Sequence, residues 1–234
     1  MQLRIGTYNI RHGSEKGRYL DQIADLIASQ NLDIVGLQEV DYMIARSGKE
    51  DTLKKIADRA GYPYYQFFKA IDYQDGEYGL GIISRYPFHF QKRTFLPNCV
   101  YEKRILVEVQ VEIGSFLLAF FNTHLDLGSF EAVRKAQFAC LNQELKDRNP
   151  FVLVGDFNVT DWTKAVHHFE WDSLEGVNCA NSVNNPLYTF QDDRSPHRAP
   201  IDNIITNAAY PISDICLHKE QYSDHLLLTC TIQF

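Results

Sequence analysis

The 234-residue sequence predicts a mixed α/β protein whose chemistry sits where its strands end. Two observations predict the class. Short runs rich in Val, Ile, Phe and Tyr recur along the chain, and segments with apolar residues at i, i+3, i+4 and i+7 are interleaved with them. A third observation predicts where function lies. The apolar runs break off into polar side chains at Asn9, Glu39, His124, Asp156, Asn158, Asp202, Asp224 and His225.

The first strand spans residues 3–8 and delivers Asn9 and Arg11 at its end. Over residues 19–30, Leu20, Ile23, Ala24 and Ile27 mark one face of an amphipathic helix. Residues 33–40 form a second strand, Ile34-Val35-Gly36-Leu37, which ends in Gln38-Glu39. A second helix covers 49–60, with Leu53, Ile56, Ala57 and Ala60 on one face and Gly61 as its C-terminal stop. After Pro63 the pattern changes to strands at 64–68, 79–84, 88–95, 104–113 and 115–122, with Ile113-Gly114-Ser115 as a hairpin turn. The last of these leads into Asn122-Thr123-His124. Helix three runs over 129–146, with Ser129 as N-cap and Val133, Ala136, Ala139, Cys140 and Leu145 facing inward.

Phe151-Val152-Leu153-Val154 is too short for a helix, and Gly155 ends it with Asp156 and Asn158 two positions apart. In extended geometry those two side chains share a side and can face one ligand. Taken alone, Gly155-Asp156-Phe157-Asn158 reads equally as an Asx turn that closes a strand. A short helix near 160–169 follows, then a surface loop over 178–200 rich in Asn, Ser, Pro and Asp. Strands at 201–206, 212–219 and 226–234 complete the chain, the last directly after Ser223-Asp224-His225. With no repeat, low-complexity tract or linker, a single domain is expected.

Composition narrows the partners. A net charge of -7 and a pI of about 5.6 argue against the broad basic face that usually accompanies nucleic-acid binding. The five cysteines, Cys99, Cys140, Cys179, Cys216 and Cys230, are odd in number and form no C-x-x-C pair, so reduced core thiols are expected. No apolar signal segment or span-length apolar stretch is present, and a cytoplasmic protein is expected. His12, His89, His197, His218 and the pair His167-His168 read as surface histidines, and Asp192-Asp193-Arg194 as a solvated loop. The aromatic run from Tyr62 to Phe68 reads as core rather than as a platform for stacked bases.

One polar strand end is a turn; eight, in a fold whose strands can present a common edge, point to one site. The residue types suit phosphoester hydrolysis. Glu39 and Asp224 are hard oxygen ligands of the kind Mg²⁺ or Mn²⁺ prefers, with no cysteine nearby to select zinc. Asp156 can hold and activate a water, Asp202 can fix His225 in one tautomer, and Asn158 and His124 can donate to charge growing on a phosphate. In an acidic protein the cation also relieves repulsion between the carboxylates and an anionic substrate.

Thr7-Tyr8-Asn9-Ile10-Arg11, Leu37-Gln38-Glu39-Val40, Asn122-Thr123-His124-Leu125, Gly155-Asp156-Phe157-Asn158, Ile201-Asp202 and Ser223-Asp224-His225 together resemble, in order, the motifs of the endonuclease/exonuclease/phosphatase superfamily. The resemblance implies a four-layered α-β-β-α sandwich, two mixed sheets face to face with helices outside, and Mg²⁺-dependent phosphoester cleavage. It implies Glu39 as principal metal ligand with Asn9 and Asp224 near the ion, Asp156 as the residue that orients or deprotonates water, and Asn158 on the scissile phosphate. Asp202 and His225 become an acid-histidine pair and His124 a second phosphate-facing donor.

The run from Lys69 to Gly79 resembles the loop before a strand in bacterial hydrolases of this superfamily, with Leu80 where relatives commonly have Asn. Within it Glu77 is either a solvated carboxylate or a residue that orients His124, and Arg104, at the start of a strand, is either a surface arginine or a candidate phosphate clamp and substrate-binding residue. Asn203 follows Asp202 where relatives often carry an aromatic residue. The leading expectation is a metal-dependent phosphodiesterase or phosphatase acting on a small molecule, headgroup or nucleotide. A DNA or RNA nuclease and a catalytically silent binding domain of the same fold are the alternatives.

Overall fold

The computed structural model describes residues 1–14, 17–98, 102–127, 131–160, 162, 177–182, 185–192 and 195–234. The short helix expected near 160–169, the pair His167-His168, Cys99, Asp193, Arg194 and the Ser129 cap lie outside the described residues, apart from Thr160 and Trp162. The strands are β1 Gln2–Asn9, β2 Ile34–Tyr42, β3 Tyr64–Tyr73, β4 Gly76–Ser84, β5 Phe88–Phe95, β6 Ile105–Ile113, β7 Phe116–His124, β8 Phe151–Asp156, β9 Val177–Cys179, β10 Phe190–Gln191, β11 Arg198–Ala199, β12 Asp202–Asn207, β13 Ile212–Leu217 and β14 Leu228–Gln233. The helices are α1 Leu20–Ser29, α2 Thr52–Ala60 and α3 Glu131–Leu145.

Two six-stranded sheets form, in the orders β13-β14-β1-β2-β4-β3 and β5-β6-β7-β8-β12-β9. Each holds one parallel pair at its centre, β1 with β2 and β7 with β8, and every other pairing in it is antiparallel. A parallel pair needs a crossover, which α1 supplies in the first sheet and α3 in the second. The two sheets therefore share one layout although the sequence shows no repeat, and both parallel pairs end in polar residues.

Three apolar clusters mark the three interfaces of four layers. Between the sheets, Leu3, Ile5, Ile34 and Ile82 meet Val107, Val109, Phe120, Val152 and Ile204. Outside the first sheet, Leu20, Ile23 and Ile27 of α1 and Leu53 and Ile56 of α2 cover Tyr8, Val35, Leu37 and Ile83. Outside the second, Phe138, Leu141 and Leu145 of α3 cover Leu106, Phe121, Leu153 and Ile205. This is the expected sandwich.

Toward the polar end the two sheets are tied by hydrogen bonds. Asn122 of β7, fully buried, donates from Nδ2 to the carbonyls of Leu37 and Gly81, both at 3.0 Å, and accepts from Gln38 Nε2 at 2.8 Å. Gln38 also donates to Thr7 Oγ1 at 3.1 Å. Gly36 allows this approach, since a Cβ there would lie 2.3 Å from Val154 Cγ2.

Several expectations are corrected. Residues 69–79 are not a loop; they are the ends of β3 and β4 and the tight turn between them, with Gln74 in the left-handed region. The inward face of α3 is Gln137, Phe138, Leu141 and Leu145, with Cys140 half-buried against the same cluster as expected, while Ala136 and Ala139 are exposed. Gln137 can be buried because its amide donates to Pro97 O at 2.9 Å and Asp126 Oδ2 at 3.0 Å and accepts from Asp126 N at 3.1 Å. The 178–200 segment is not all surface, because Asn181 and Thr189 are fully buried. Asn181 satisfies itself inside by bonding the backbone of Leu187 and Asp202. Cys140, Cys179, Cys216 and Cys230 are free thiols, but only Cys230 is buried in the core, and Cys216 on edge strand β13 is exposed. Tyr62 and Phe68 are core as expected, whereas Tyr64 is exposed.

Candidate active site

The carboxyl ends of β1, β2, β7 and β8 open into a cleft of about 650 Å³. Glu39, Arg104, His124, Asp156, Asn158, Asp224 and His225 line it, and Asn9 and Asp202 stand behind that lining as buried polar residues.

Asn9 closes β1 and is fully buried. Its Nδ2 donates to Glu39 Oε1 and to Asp156 Oδ2, both at 3.1 Å, so one amide bridges the two sheets' principal carboxylates. Its own oxygen accepts from Arg11 N at 3.1 Å. Glu39 sits where the β2–β4 register shifts between Leu37 and Val40, with φ of 57°. Such a bulge re-aims one side chain out of strand alternation, and here it turns Glu39 into the cleft.

Asp156 ends β8, opposite His124 in the parallel pairing and opposite Asp202 in the antiparallel one. Gly155 permits this crowding, because a Cβ there would stand 2.2 Å from Thr123 O. Asn158 does not continue the strand. Its φ is 51° and its N–H donates to Asp156 Oδ1 at 2.9 Å, an Asx turn, while its Nδ2 donates to Leu125 O at 2.9 Å. The turn and site readings of Gly-Asp-Phe-Asn are thus one geometry, and simple extended alternation is not how the pair is presented.

His225 precedes β14, and its Nδ1 lies 2.8 Å from Asp202 Oδ2. The ring's Nε2 faces Asp156 Oδ2 at 3.6 Å, and Phe190 meets the ring edge-on at 5.2 Å. Burial opposes the imidazolium, but the carboxylates of Asp202 and Asp156 outweigh it and push the pKa up to about 10. On Asp156, burial and then the nearby Asp202 charge raise the pKa to about 7, against the pull of His225 and the bonds from Asn158 and Asn9. One oxygen atom, Asp156 Oδ2, is therefore approached by Asn9, His225 and, at 3.4 Å, His124 Nε2.

Around His124 the structure decides between the alternatives. Glu77 is the solvated carboxylate and does not orient it; it pairs with Lys69 at 3.0 Å and does not line the cleft. The neighbour of His124 is Arg104, whose Nη1 lies 3.1 Å from His124 Nδ1 and 2.8 Å from Glu102 Oε1, with its Nε 3.6 Å from Asp126 Oδ1. Arg104 is thus bound into the cleft wall through Nη1, with a carboxylate and an imidazole as its partners. Burial, then Arg104 and His225, hold the pKa of His124 well below the ordinary value.

Other cleft residues were not singled out by sequence. Arg46 is pinned by both oxygens of buried Asp41, at 2.8 and 2.7 Å, and lies 4.6 Å over the Tyr73 ring. Arg134 donates to Asn158 O at 2.6 Å. His12 and His197, read as surface, both line the cleft. Burial and then Arg46 lower His12 to about 4. Arg46 and Arg134 lie away from strand ends, the signal that found the others, and His197, although beside β11, follows no apolar run.

The donor set fits a hard divalent cation. Glu39 projects into the cleft and accepts a side-chain hydrogen bond from Asn9, and no sulfur lines the cleft among the described residues. Asp224 also lines it, with Oδ2 3.2 Å from Arg11 Nη1. Asp156, Asp202 and His225 form a tighter buried group whose ligand atoms lie within 4.8 Å of one another. There Nδ1 of His225 already faces Asp202 at 2.8 Å, so the trio reads as a hydrogen-bonded acid-histidine pair beside Asp156, 3.6 Å away.

The family model described as the endonuclease/exonuclease/phosphatase family matches residues 6–225. The chain belongs to that family. The span of the match contains every strand end of the cleft. Among solved structures, a family member from Beutenbergia cavernae superposes with TM-score 0.83 at 20% identity, over 100% of this chain and 72% of its own. The human nocturnin catalytic domain with a bound sulfate anion gives 0.78 at 22% identity, over 100% and 94% of the two chains. A mannosyl-6-phosphatase from Bacteroides thetaiotaomicron gives 0.74 at 18%, over 99% and 100%. At these identities the likeness is one of fold within the family. No curated protein matches the sequence.

Proposed function

We propose that residues 1–234 act as one catalytic unit that hydrolyses phosphoesters with the aid of a divalent cation, on a small molecule, headgroup or nucleotide. The observation that carries this reading is the convergence on Asp156 Oδ2 of Asn9, His124 and His225, with Asp202 behind the last. A carboxylate so held can orient a water for attack on phosphorus. His225, charged and backed by Asp202, faces the oxygen charge that grows as the phosphorus-oxygen ester bond breaks, and can pass a proton to the departing oxygen. Asn158, on its left-handed turn, lines the same wall. Glu39, with Asn9 and Asp224 beside it, would hold Mg²⁺ or Mn²⁺, which neutralises phosphoryl charge when bound.

The cleft supports a compact substrate over a nucleic-acid strand. It is lined by Glu39, Glu102, Asp156 and Asp224, and two of its arginines, Arg46 and Arg104, already face internal carboxylates. The chain as a whole carries -7. The test is turnover of a panel of aryl and biological phosphomonoesters and diesters, plasmid and single-stranded oligonucleotide, with Mg²⁺ or Mn²⁺ and with chelator. Chelator-sensitive turnover of small esters is expected; a preference for nucleic acid would move the reading to a nuclease, and no turnover of anything would leave a silent domain of the same fold.

A further inference from the structure

We infer that Arg104 is a positioning residue that locks His124 into one tautomer, with its proton on Nε2, and so makes His124 a fixed neutral donor in the cleft. What fixes the tautomer is which groups can accept a hydrogen. A guanidinium carries five N–H donors and no acceptor. Arg104 Nη1 lies 3.1 Å from His124 Nδ1, so that nitrogen must offer a lone pair, and the ring's single proton is left on Nε2. Nε2 is the atom turned to the site, 3.4 Å from Asp156 Oδ2. The guanidinium cannot swing away easily, because its side chain is 9% exposed and bonded to Glu102 Oε1 at 2.8 Å, with Asp126 at 3.6 Å on the other side.

His225 is wired in the opposite sense. Asp202 is an acceptor, so Nδ1 of His225 carries a proton and donates across 2.8 Å. The two histidines that flank Asp156 are therefore set by partners of opposite charge, Arg104 behind one and Asp202 behind the other. A cation behind His124 also disfavours the imidazolium there. The two are not interchangeable: His124 gives a hydrogen bond without exchanging its proton, and proton transfer falls to the His225-Asp202 pair. The catalytic half of this inference rests on the proposed phosphoester hydrolysis; the tautomer half does not.

The test reads the tautomer directly. Long-range ¹H–¹⁵N correlation spectra of the metal-free wild-type chain near pH 7, with His124→Gln for assignment, should show His124 with a bare Nδ1 and a protonated Nε2, and His225 with a protonated Nδ1. Arg104→Lys, which keeps a charged donor, should preserve the His124 pattern. Arg104→Met should let the proton redistribute over both nitrogens and lower kcat by about 10²-fold with KM changed less than about twofold, the scale of losing one fixed donor to developing charge. A wild-type His124 that is protonated on Nδ1, alone or doubly, overturns the inference. So does an Arg104→Met chain that keeps both the wild-type tautomer and the wild-type kcat. Absence of hydrolysis in a wild-type protein that shows the stated tautomers would count against the proposed function and not against the locking of His124.

Discussion

His225 Nδ1 and Asp202 Oδ2 stand 2.8 Å apart, both residues buried, at the junction between the two sheets. The first belongs to the segment entering β14 and the second opens β12, so the pair exists only when the sheets are face to face. Asp202→Asn retains size but removes the charge that favours the imidazolium. Its expected effect is a fall in kcat of about 10²-fold or more, in line with loss of a general acid-base partner, with the circular dichroism spectrum unchanged.

The same pair makes stability depend on pH. Folding raises His225 from 6.5 to about 10, so between those values the folded chain holds a proton that the unfolded chain releases. The stabilisation is fully present below pH 6.5 and is lost as pH rises through about 10. Urea denaturation of the metal-free protein should therefore show a midpoint that declines across this window, and Asp202→Asn should flatten the decline.

Glu39 is placed by a backbone bulge and held by one amide, with the rest of its carboxylate turned to the cleft. Glu39→Gln should abolish Mn²⁺ binding in isothermal titration and remove cation-dependent turnover, while thermal stability in chelator stays within a few degrees of wild type. Retention of full Mn²⁺ affinity would shift the cation to the Asp156, Asp202 and His225 group.

Asn122 joins the sheets through three hydrogen bonds, to Leu37 O, Gly81 O and Gln38 Nε2. Asn122→Ala strands those buried partners, and a loss of about 3 kcal/mol is expected, since each unsatisfied buried group costs roughly 1–3 kcal/mol. Urea unfolding followed by tryptophan fluorescence measures it.

Sequence carried the parts of this arrangement that depend on periodicity and on abrupt polarity at strand ends. The apolar spacing of Leu20, Ile23 and Ile27 and the stop at Gly61 appear as expected. Asn9, His124, Asp156, Asn158, Asp202, Asp224 and His225 sit at or near strand ends, whereas Glu39 reaches the cleft from a bulge inside β2, which runs on to Tyr42. What sequence missed depends on side chains that meet across the fold. Arg46 is paired with Asp41 five residues away through a turn, and Arg104 meets His124 across the β6–β7 pairing. The shared layout of the two sheets is likewise topological, with no repeated residues to reveal it. Gln137 and Asn181 escaped because a buried amide satisfied by backbone and side-chain groups looks, in sequence, like surface.

Asp156 is the residue on which Asn9, His124 and His225 converge. The most direct measurement is chelator-sensitive phosphoester turnover by wild type and Asp156→Asn, side by side, with folding verified by circular dichroism. Turnover should require Mg²⁺ or Mn²⁺ and fall at least about 10³-fold in the variant, from loss of a general base and a fixed charge together. Turnover that is indifferent to chelator, or that survives intact in Asp156→Asn, would contradict the proposed function.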